Sequence, residues 1–260
     1  PISMRSALAE SRNVPAVKTL YLAGLDETLK TAKDMGIHSL GEAKTYGLTL
    51  VLGGGEVSLL DMTSAYGVFS YVCVRMQPTP VLTVTDKDGK IIEEYKEESV
   101  QVIPKNVALQ ISDVLSDNNA RIPTFGANSP LYFAGRDVAA KTGTTNDNRD
   151  AWVMGYTPTI AVGAWSGNSD NSKMTKGGSA VSGPLWHAFM AEALKTMPNE
   201  QFEEPNQPEN YSSLKPVLRG QWQGGQSYFI DTVSGGLATE FTPDETKKEA
   251  FQTALRNFFN

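Results

Sequence analysis

Hydrophobic and polar positions in the first half of the chain repeat with the period of α-helices, in several short runs. One run begins after Ser58, a residue typical of a helix N-cap, and Asp61 follows three residues later in the capping-box position. This run predicts a helix that continues to Tyr71. Two further helices are predicted in this half, one at residues 27–35 after Asp26 and one from Pro104 to about Ser116. A β-hairpin is predicted at residues 81–95, around Asp88-Gly89.

Beyond Asp137 the pattern becomes that of β-strands. Three strands are predicted, at about residues 138–144, 151–156 and 160–166. The break around Pro158 is short, which favours an antiparallel hairpin, and an amphipathic helix follows at about residues 181–197. These elements together predict the α+β class, with helices packed on an antiparallel sheet.

The C-terminal part of the chain differs in composition. Residues 199–211 contain two prolines and four glutamates but no lysine or arginine, a composition typical of a linker. We therefore predict a domain over residues 1–198, a linker over 199–211 and a separate segment over 212–260. In that last segment the sequence predicts a hairpin over residues 227–241 around Gly235-Gly236, then a helix that begins after Thr242.

Charge and cysteine content exclude several classes of function. The 260 residues carry 23 Lys and Arg against 29 Asp and Glu, a net charge of −6, which argues against nucleic acid as a partner. Cys73 is the single cysteine, so an internal disulfide or a cysteine-based zinc site is excluded. Only two histidines are present, and we expect neither a metal nor a cofactor. No apolar run is long enough to cross a bilayer, so any membrane contact is expected from a segment absent here.

The sharpest chemical motif is Lys141-Thr142-Gly143-Thr144, followed by Thr145. On the predicted strand, Lys141 faces one side, while Thr142 and Thr144 face the other. Gly143 has no side chain, so the backbone of a ligand can approach closely. An exposed strand can pair with an extended peptide, and a lysine with nearby hydroxyls suits a carboxylate. The alternative is a solvated edge strand with an incidental lysine.

Ser11-Arg12-Asn13 is the second candidate, and by itself it is more typical of a helix cap or a turn. Followed 130 residues later by Lys-Thr-Gly, however, it resembles two of the three motifs of penicillin-binding proteins and serine β-lactamases. The flanking sequence resembles class A penicillin-binding proteins over about residues 1–197. The segments that carry this resemblance are residues 6–17, 52–58, 63–67, 141–152, 155–158 and 165–168.

This resemblance implies serine acyl transfer, which crosslinks peptidoglycan stem peptides ending in D-Ala-D-Ala and is blocked by β-lactams. It implies proton transfer by Ser11 and binding of the substrate amide by Asn13. Lys141 would provide the positive field for the substrate carboxylate, and Thr142 and Thr144 would offer hydroxyls to it. The Thr144 N–H would be one of two oxyanion-hole donors. We also expect the Ser11 and Lys141 side chains within about 4 Å of each other.

The family's first motif, Ser-x-x-Lys, supplies the nucleophile and its base, and it precedes the Ser-x-Asn motif by some tens of residues. Only Ser212-Ser213-Leu214-Lys215 has this spacing, in the wrong order for the family. We therefore expect an N-terminally truncated piece without the nucleophile helix, the first strands of the sheet or the membrane anchor, and inactive alone. The whole protein is expected on the extracytoplasmic side of the bacterial membrane, in the periplasm or cell wall.

Two alternatives remain open on the sequence. One is a hydrolase of the same superfamily, either a D,D-carboxypeptidase or a serine β-lactamase. The other is a non-catalytic module that binds peptidoglycan or senses β-lactams. The sequence upstream of residue 1 distinguishes the enzymes from the binding module, because only the enzymes need a Ser-x-x-Lys motif there.

Overall fold

The computed structural model describes residues 2–206 and two short strands further on, residues 228–231 and 247–250. Contacts within the chain divide it into two units, residues 1–206 and residues 207–260. Seven α-helices lie in the described part of the first unit: α1 (Met4–Ala9), α2 (Asn13–Ala23), α3 (Leu25–Asp34), α4 (Leu59–Ser70), α5 (Lys105–Ser116), α6 (Asn118–Phe125) and α7 (Gly178–Ala193).

The described strands are β1 (Val74–Met76), β2 (Thr83–Thr85), β3 (Ile91–Glu94), β4 (Ser99–Gln101), β5 (Ala139–Thr144), β6 (Asp150–Thr157), β7 (Ile160–Gly167), β8 (Tyr228–Asp231) and β9 (Lys247–Ala250). They form four antiparallel sheets: β1 pairs with β4, β2 pairs with β3, β6 pairs with both β5 and β7, and β8 pairs with β9.

Local signals at Ser58 and Pro104 correctly located the starts of two helices. The Ser58 hydroxyl accepts a hydrogen bond from the Asp61 N–H at 3.0 Å, and α4 begins at the next residue, as predicted. The helix predicted after Pro104 is α5. The helix predicted at residues 27–35 is α3, which begins earlier, at Leu25, so Asp26 lies in its first turn and not at its cap.

Three helices were not predicted: α1, α2 and α6. The first has only six residues, too short for a periodic pattern to be recognised. Pro123 lies inside α6, and proline is a strong signal against a helix interior. These helices form because tertiary packing outweighs weak local preference.

The three-stranded sheet β5-β6-β7 is the antiparallel meander that the sequence predicted. Helix α7 packs across one face, where Val153, Trp186 and Met190 are fully buried. Trp186 can pack closely against β6 because Gly155 has no side chain, and a Cβ there would overlap the indole. On the opposite face, Ala139 and Tyr156 pack with Leu115 of α5. The sheet is therefore covered on both sides by helices.

The sheet has two outer edges. Among the described residues no further strand pairs with the outer edge of β5 or of β7. The edge of β5 is the one that carries Lys141 to Thr144. This strand is thus open to an additional strand along its outer side.

In the second unit, the structure corrects two predictions. Residues 247–250 form strand β9, paired with β8, so the helix predicted after Thr242 is wrong at these residues. The partner of β8 is β9, which lies beyond residue 241, where the hairpin predicted around Gly235-Gly236 ends. A capping pattern is a local preference, whereas a paired strand satisfies its backbone groups through a distant partner. The Ser212-x-x-Lys215 segment lies outside the described residues.

None of the described helices is long and apolar enough to cross a membrane. Within the described residues, no cluster of three or more histidine, cysteine, aspartate or glutamate side chains is arranged to bind a metal ion.

Candidate active site

Ser11 lies at the junction of α1 and α2, in an unusual backbone conformation. Its φ angle is 60°, the left-handed region, which glycine adopts far more readily than serine. The Ser11 N–H bonds to the Leu8 carbonyl at 3.1 Å, and the Arg12 N–H bonds to the Ala7 carbonyl at 2.9 Å. These two bonds form a Schellman motif with a non-glycine residue at its left-handed position. The turn fixes the place from which the Ser11 hydroxyl projects.

Helix α1 is held on the rest of the domain by polar contacts at both of its ends. Arg5 forms ion pairs with Asp113 and, at 3.1 Å, with Asp117 at the end of α5. At the other end, the Thr124 hydroxyl donates to the Glu10 carbonyl at 3.3 Å. Each contact is partly exposed and weak by itself, but together they fix the position of the turn that carries Ser11.

Lys141 meets Ser11 across the cleft between β5 and this turn. The Lys141 Nζ donates to the Ser11 Oγ at 2.6 Å and to the Thr142 carbonyl at 2.8 Å. The expected approach of these two side chains, 130 residues apart, is confirmed. Burial lowers the pKa of Lys141 from 10.5 to about 8, because the charged amine loses hydration. Near neutral pH this lysine therefore lies within reach of losing a proton.

The backbone of β5 presents alternate groups to its open edge. The Thr145 N–H bonds to the Asp150 carbonyl on β6 at 3.2 Å. Since N–H groups alternate in direction along an antiparallel strand, the Thr142 and Thr144 N–H groups point the other way, toward the edge without a partner. The Thr142 carbonyl points to the same edge, where it accepts from Lys141.

Thr144 is exposed at the end of this edge. Its hydroxyl oxygen accepts a hydrogen bond from the Gly178 N–H at 2.9 Å, where α7 begins. A hydroxyl has one proton to donate in addition to its acceptor sites, so this contact leaves the Thr144 proton for an acceptor in the cleft. Gly143, one position earlier, lies opposite Trp152, and a Cβ there would lie 3.2 Å from the Trp152 Cβ.

Thr145 belongs to a compact network at the end of β5. Its hydroxyl donates to the Asp150 Oδ2 at 2.8 Å and accepts from the Asp150 N–H at 2.9 Å. The other carboxylate oxygen, Oδ1, accepts from the Trp165 indole at 3.1 Å. Thr145 also faces Gly53, the first of three consecutive glycines, where a Cβ would lie 3.4 Å from the Thr145 methyl group.

Asn13 is the first residue of α2 and is exposed, two residues after Ser11. In the described part of the chain its side chain makes no hydrogen bond with Ser11 or Lys141. The structure thus places Asn13 beside the cleft, whereas Lys141 is hydrogen-bonded directly to both Ser11 and Thr142. The roles assigned to these residues stay predictions.

Sequence reasoning missed three groups that support the end of the Lys-Thr-Gly strand: Asp150, which bonds to Thr145; Trp165, which bonds to Asp150; and the Gly178 N–H, which bonds to Thr144. An aspartate five residues after Thr145 is a weak signal, because the short loop between them could take many forms. Two left-handed residues, Asp147 and Asn148, bring Asp150 back to Thr145. The contact of Trp165 with Asp150 and that of Gly178 with Thr144 depend on tertiary packing alone.

A known family matches most of this chain. The family model for the penicillin binding protein transpeptidase domain matches residues 1–191. Penicillin-binding protein 1A of Aquifex aeolicus (strain VF5) is 35% identical over 211 residues, which are 80% of this chain and 28% of that protein. Penicillin-binding protein 1A of Rickettsia conorii (strain ATCC VR-613 / Malish 7) is 30% identical over 272 residues, covering 96% of this chain and 31% of that protein. The chain therefore spans less than a third of the length of these two relatives.

Solved structures of the same family share the fold. PonA1 from Mycobacterium tuberculosis superimposes with a TM-score of 0.70 at 27% identity, over 79% of this chain and 60% of that chain. Penicillin-binding protein 1A from Haemophilus influenzae, at 20% identity, has a TM-score of 0.67 over 97% of this chain and 40% of that chain. With the family match over residues 1–191, these findings establish that the chain belongs to the transpeptidase-domain family of penicillin-binding proteins.

Proposed function

We propose that the chain is the C-terminal portion of a D,D-transpeptidase domain of a class A penicillin-binding protein. The whole protein would crosslink peptidoglycan stem peptides that end in D-Ala-D-Ala, through a serine acyl-enzyme, and would bind β-lactams at the same site. The observation that carries this proposal is the 2.6 Å contact between Lys141 Nζ and Ser11 Oγ. It joins the second and third motifs of the family in one cleft.

The Ser11–Lys141 pair supports a role in proton transfer. When the nucleophile attacks the amide carbonyl of the substrate, the amine of the leaving D-Ala must gain a proton. Ser11 would donate its hydroxyl proton to this amine and recover one from Lys141, whose lowered pKa of about 8 permits exchange near neutral pH. In the second half-reaction the proton of the attacking amine would return along the same path.

The open edge of β5 supports the binding and polarisation of the substrate. The outward Thr144 N–H would be one of the two donors to the oxyanion, an interaction whose loss costs about 3 kcal/mol in comparable enzymes. The hydroxyls of Thr142 and Thr144, in the positive field of Lys141, would bind the substrate carboxylate. Gly143 would allow the substrate backbone to approach, Thr145 would close the end of this subsite, and Asn13 would bind the substrate amide.

Acylation also needs a nucleophile that is activated by an adjacent base. We assign it to a Ser-x-x-Lys motif upstream of residue 1 in the natural protein, so the 260-residue chain alone would form no covalent adduct. The whole protein would act on the extracytoplasmic side of the membrane, anchored by an upstream segment.

Intact-mass spectrometry tests this proposal on two chains, the 260-residue chain and the same chain extended upstream through the Ser-x-x-Lys motif. After incubation with excess labelled penicillin, the extended chain should gain the mass of one β-lactam, and the short chain none. Replacing the motif serine by alanine in the extended chain is the matched control and should abolish the adduct.

Two outcomes would overturn the proposal. A stoichiometric adduct on the short chain, mapped to Ser11 or Ser212, would mean that the nucleophile is misassigned. An upstream sequence without Ser-x-x-Lys, with no acylation of the extended chain, would favour a non-catalytic binding module instead.

A further inference from the structure

The end of β5 carries a carboxylate that the proposed chemistry does not use. Asp150 is half-buried, and both of its oxygens are occupied by neutral donors: the Thr145 hydroxyl at 2.8 Å and the Trp165 indole at 3.1 Å. Among the described residues it forms no ion pair. Its contacts, all with uncharged donors, are those of a group that fixes geometry.

Asp150 and Thr145 hold each other by three hydrogen bonds. The backbone N–H of each residue donates to the other, Thr145 to the Asp150 carbonyl and Asp150 to the Thr145 hydroxyl, and that hydroxyl donates back to the carboxylate. The intervening loop has left-handed backbone at Asp147 and Asn148, conformations that cost energy unless the surrounding structure imposes them. The Asp150–Thr145 ring therefore fixes the exact point at which β5 leaves the sheet.

Thr144 lies between this ring and a second attachment. On one side Thr145 is bound to Asp150, and on the other the Thr144 hydroxyl accepts from the Gly178 N–H at 2.9 Å. Pairing with β6 at Gly143 sets the direction of the Thr144 N–H, and the two attachments hold the last residues of the strand, where in the described part of the chain no strand pairs with the outer edge. Losing the Asp150 carboxylate would remove one of these supports and loosen the end of the strand at Thr144.

We propose that Asp150 is a positioning residue, which acts through Thr145 to aim the Thr144 N–H into the cleft as an oxyanion donor. This inference rests on the function proposed above and adds a residue to it. An oxyanion donor acts on charge that develops in the transition state, so its misplacement slows the chemical step and leaves initial binding nearly unchanged. A purely structural role would lower stability without this separation.

The first test reads the geometry in the 260-residue chain itself, by amide hydrogen exchange followed by NMR. Asp150→Ala removes the carboxylate bonds to Thr145 and Trp165 but keeps the two Thr145 bonds made by the backbone of residue 150. With Thr145 held less firmly, the Thr144 hydroxyl should hold the Gly178 N–H less tightly, and the Gly178 amide should exchange about tenfold faster relative to the amides of Val153 and Tyr156 on β6. Asp170→Ala is the matched control, since the hydrogen bonds of the exposed Asp170 carboxylate are local, to Ser172 and to its own backbone, and none involves Thr145. Unchanged relative protection of Gly178 in Asp150→Ala would overturn the proposal.

The second test uses the chain extended upstream through the Ser-x-x-Lys motif. Stopped-flow acylation by a chromogenic β-lactam separates the acylation rate constant from the dissociation constant of the initial complex. Asp150→Ala should lower the rate constant about 10- to 100-fold with little change in the dissociation constant. Asp150→Asn, which keeps an acceptor for Trp165 and a partner for Thr145, should recover part of the rate.

The two proposals can fail separately. If the unsubstituted extended chain does not acylate, the proposed function fails, while the exchange of Gly178 still tests how Thr144 is held. If the extended chain acylates and Asp150→Ala changes only its stability, or weakens binding and not the rate constant, the positioning role of Asp150 is wrong.

Discussion

At the scale of single residues, the site depends on one buried amine and one strained serine. Lys141 is carried by a regular strand, whereas Ser11 is held at a left-handed turn between two short helices. The 2.6 Å contact between them costs the hydration of the amine and the backbone strain of the serine. Such costs are typical of functional sites, where geometry is selected over stability.

The lowered pKa of Lys141 predicts a pH-dependent stability. With a folded pKa of about 8 and an ordinary value of 10.5, the folded chain loses this proton first as the pH rises. Between pH 8 and pH 10.5 the unfolded chain binds more protons than the folded chain, so the contribution of Lys141 to the free energy of unfolding should increase with pH over this range. Below pH 8 this contribution should be least favourable. Lys141→Met should remove this increase, measured by urea unfolding at pH 7 and pH 9.

NMR titration of the Lys141 side chain provides the direct measurement, with an expected midpoint near pH 8. In the urea unfolding experiment, Lys176→Met, at an exposed position, controls for the loss of one positive charge in Lys141→Met. A Lys141 midpoint near 10.5 would contradict the burial of this amine.

The left-handed backbone of Ser11 predicts an unusual order of stabilities. Alanine and glycine both remove the hydroxyl, but only glycine adopts this conformation without strain. Ser11→Gly should therefore be more stable than Ser11→Ala by about 1 kcal/mol. At Lys30, an exposed position inside α3, the order should be reversed, with alanine more stable than glycine by about 1 kcal/mol. Urea unfolding of the four variants measures both differences, and the same order at the two positions would contradict the turn.

At the scale of elements, the contact of α7 with β5 and β6 decides where the Lys-Thr-Gly strand ends. Gly178, the first residue of α7, lies against the carbonyls of Gly143 and Trp152 and donates its N–H to Thr144. The same helix is anchored further along by the buried Trp186, whose indole donates to the Val162 carbonyl at 3.0 Å. The helix thus supports the open strand from one face of the sheet.

This close approach makes Gly178 sensitive to substitution. A Cβ at Gly178 would lie 2.9 Å from the Trp152 carbonyl oxygen and would overlap that of Gly143, and neither backbone group can move easily. Gly178→Ala should therefore lower the free energy of unfolding by about 1–3 kcal/mol. Gly47→Ala, where nothing lies within 4 Å of the added carbon, should change it by less than about 0.5 kcal/mol. Equal effects at the two glycines, in thermal or urea unfolding, would contradict the packing of α7.

At the scale of the whole molecule, residues beyond α7 complete the first unit. Phe202 packs edge-on against Tyr156, with ring centroids 5.5 Å apart, and its N–H donates to Asp137 at 3.0 Å. Asn206 exchanges hydrogen bonds with Asn106 at the start of α5. Part of the segment that the sequence predicts to be a linker is therefore packed against the domain.

These contacts predict where the chain can be shortened. A chain that ends at residue 206 should keep the stability of the first unit, whereas one that ends at residue 198 should lose about 1–2 kcal/mol, since the Phe202 ring and its hydrogen bond are removed. Thermal unfolding of the two chains gives the comparison, and Phe202→Ala in the longer one should account for most of the difference. Equal stability of the two chains would place the boundary at residue 198.

Much of the fold could be predicted because its signals are local. The cap at Ser58, the turn at Asp88-Gly89 and the alternation beyond Asp137 each lie within a few residues of the element they specify. Helix α6 was missed because Pro123 is a local signal against it, and β9 was predicted as helix because its strand partner lies 16 or more residues earlier. Local preference decides between alternatives only where no distant contact outweighs it.

The sequence by itself determined which groups could form the site: the Ser-x-Asn and Lys-Thr-Gly motifs, a strand with alternating faces beneath the second, and the family that both resemble. The resemblance also predicted that Lys141 approaches Ser11. Tertiary structure alone decided the 2.6 Å contact between them, the burial that lowers the pKa of Lys141 to about 8, and the support of the end of β5 by Asp150 and Gly178. The physical reason is that motifs are covalent and local. Distances, burial and the direction of a backbone N–H arise only when helices and strands far apart in the chain pack together.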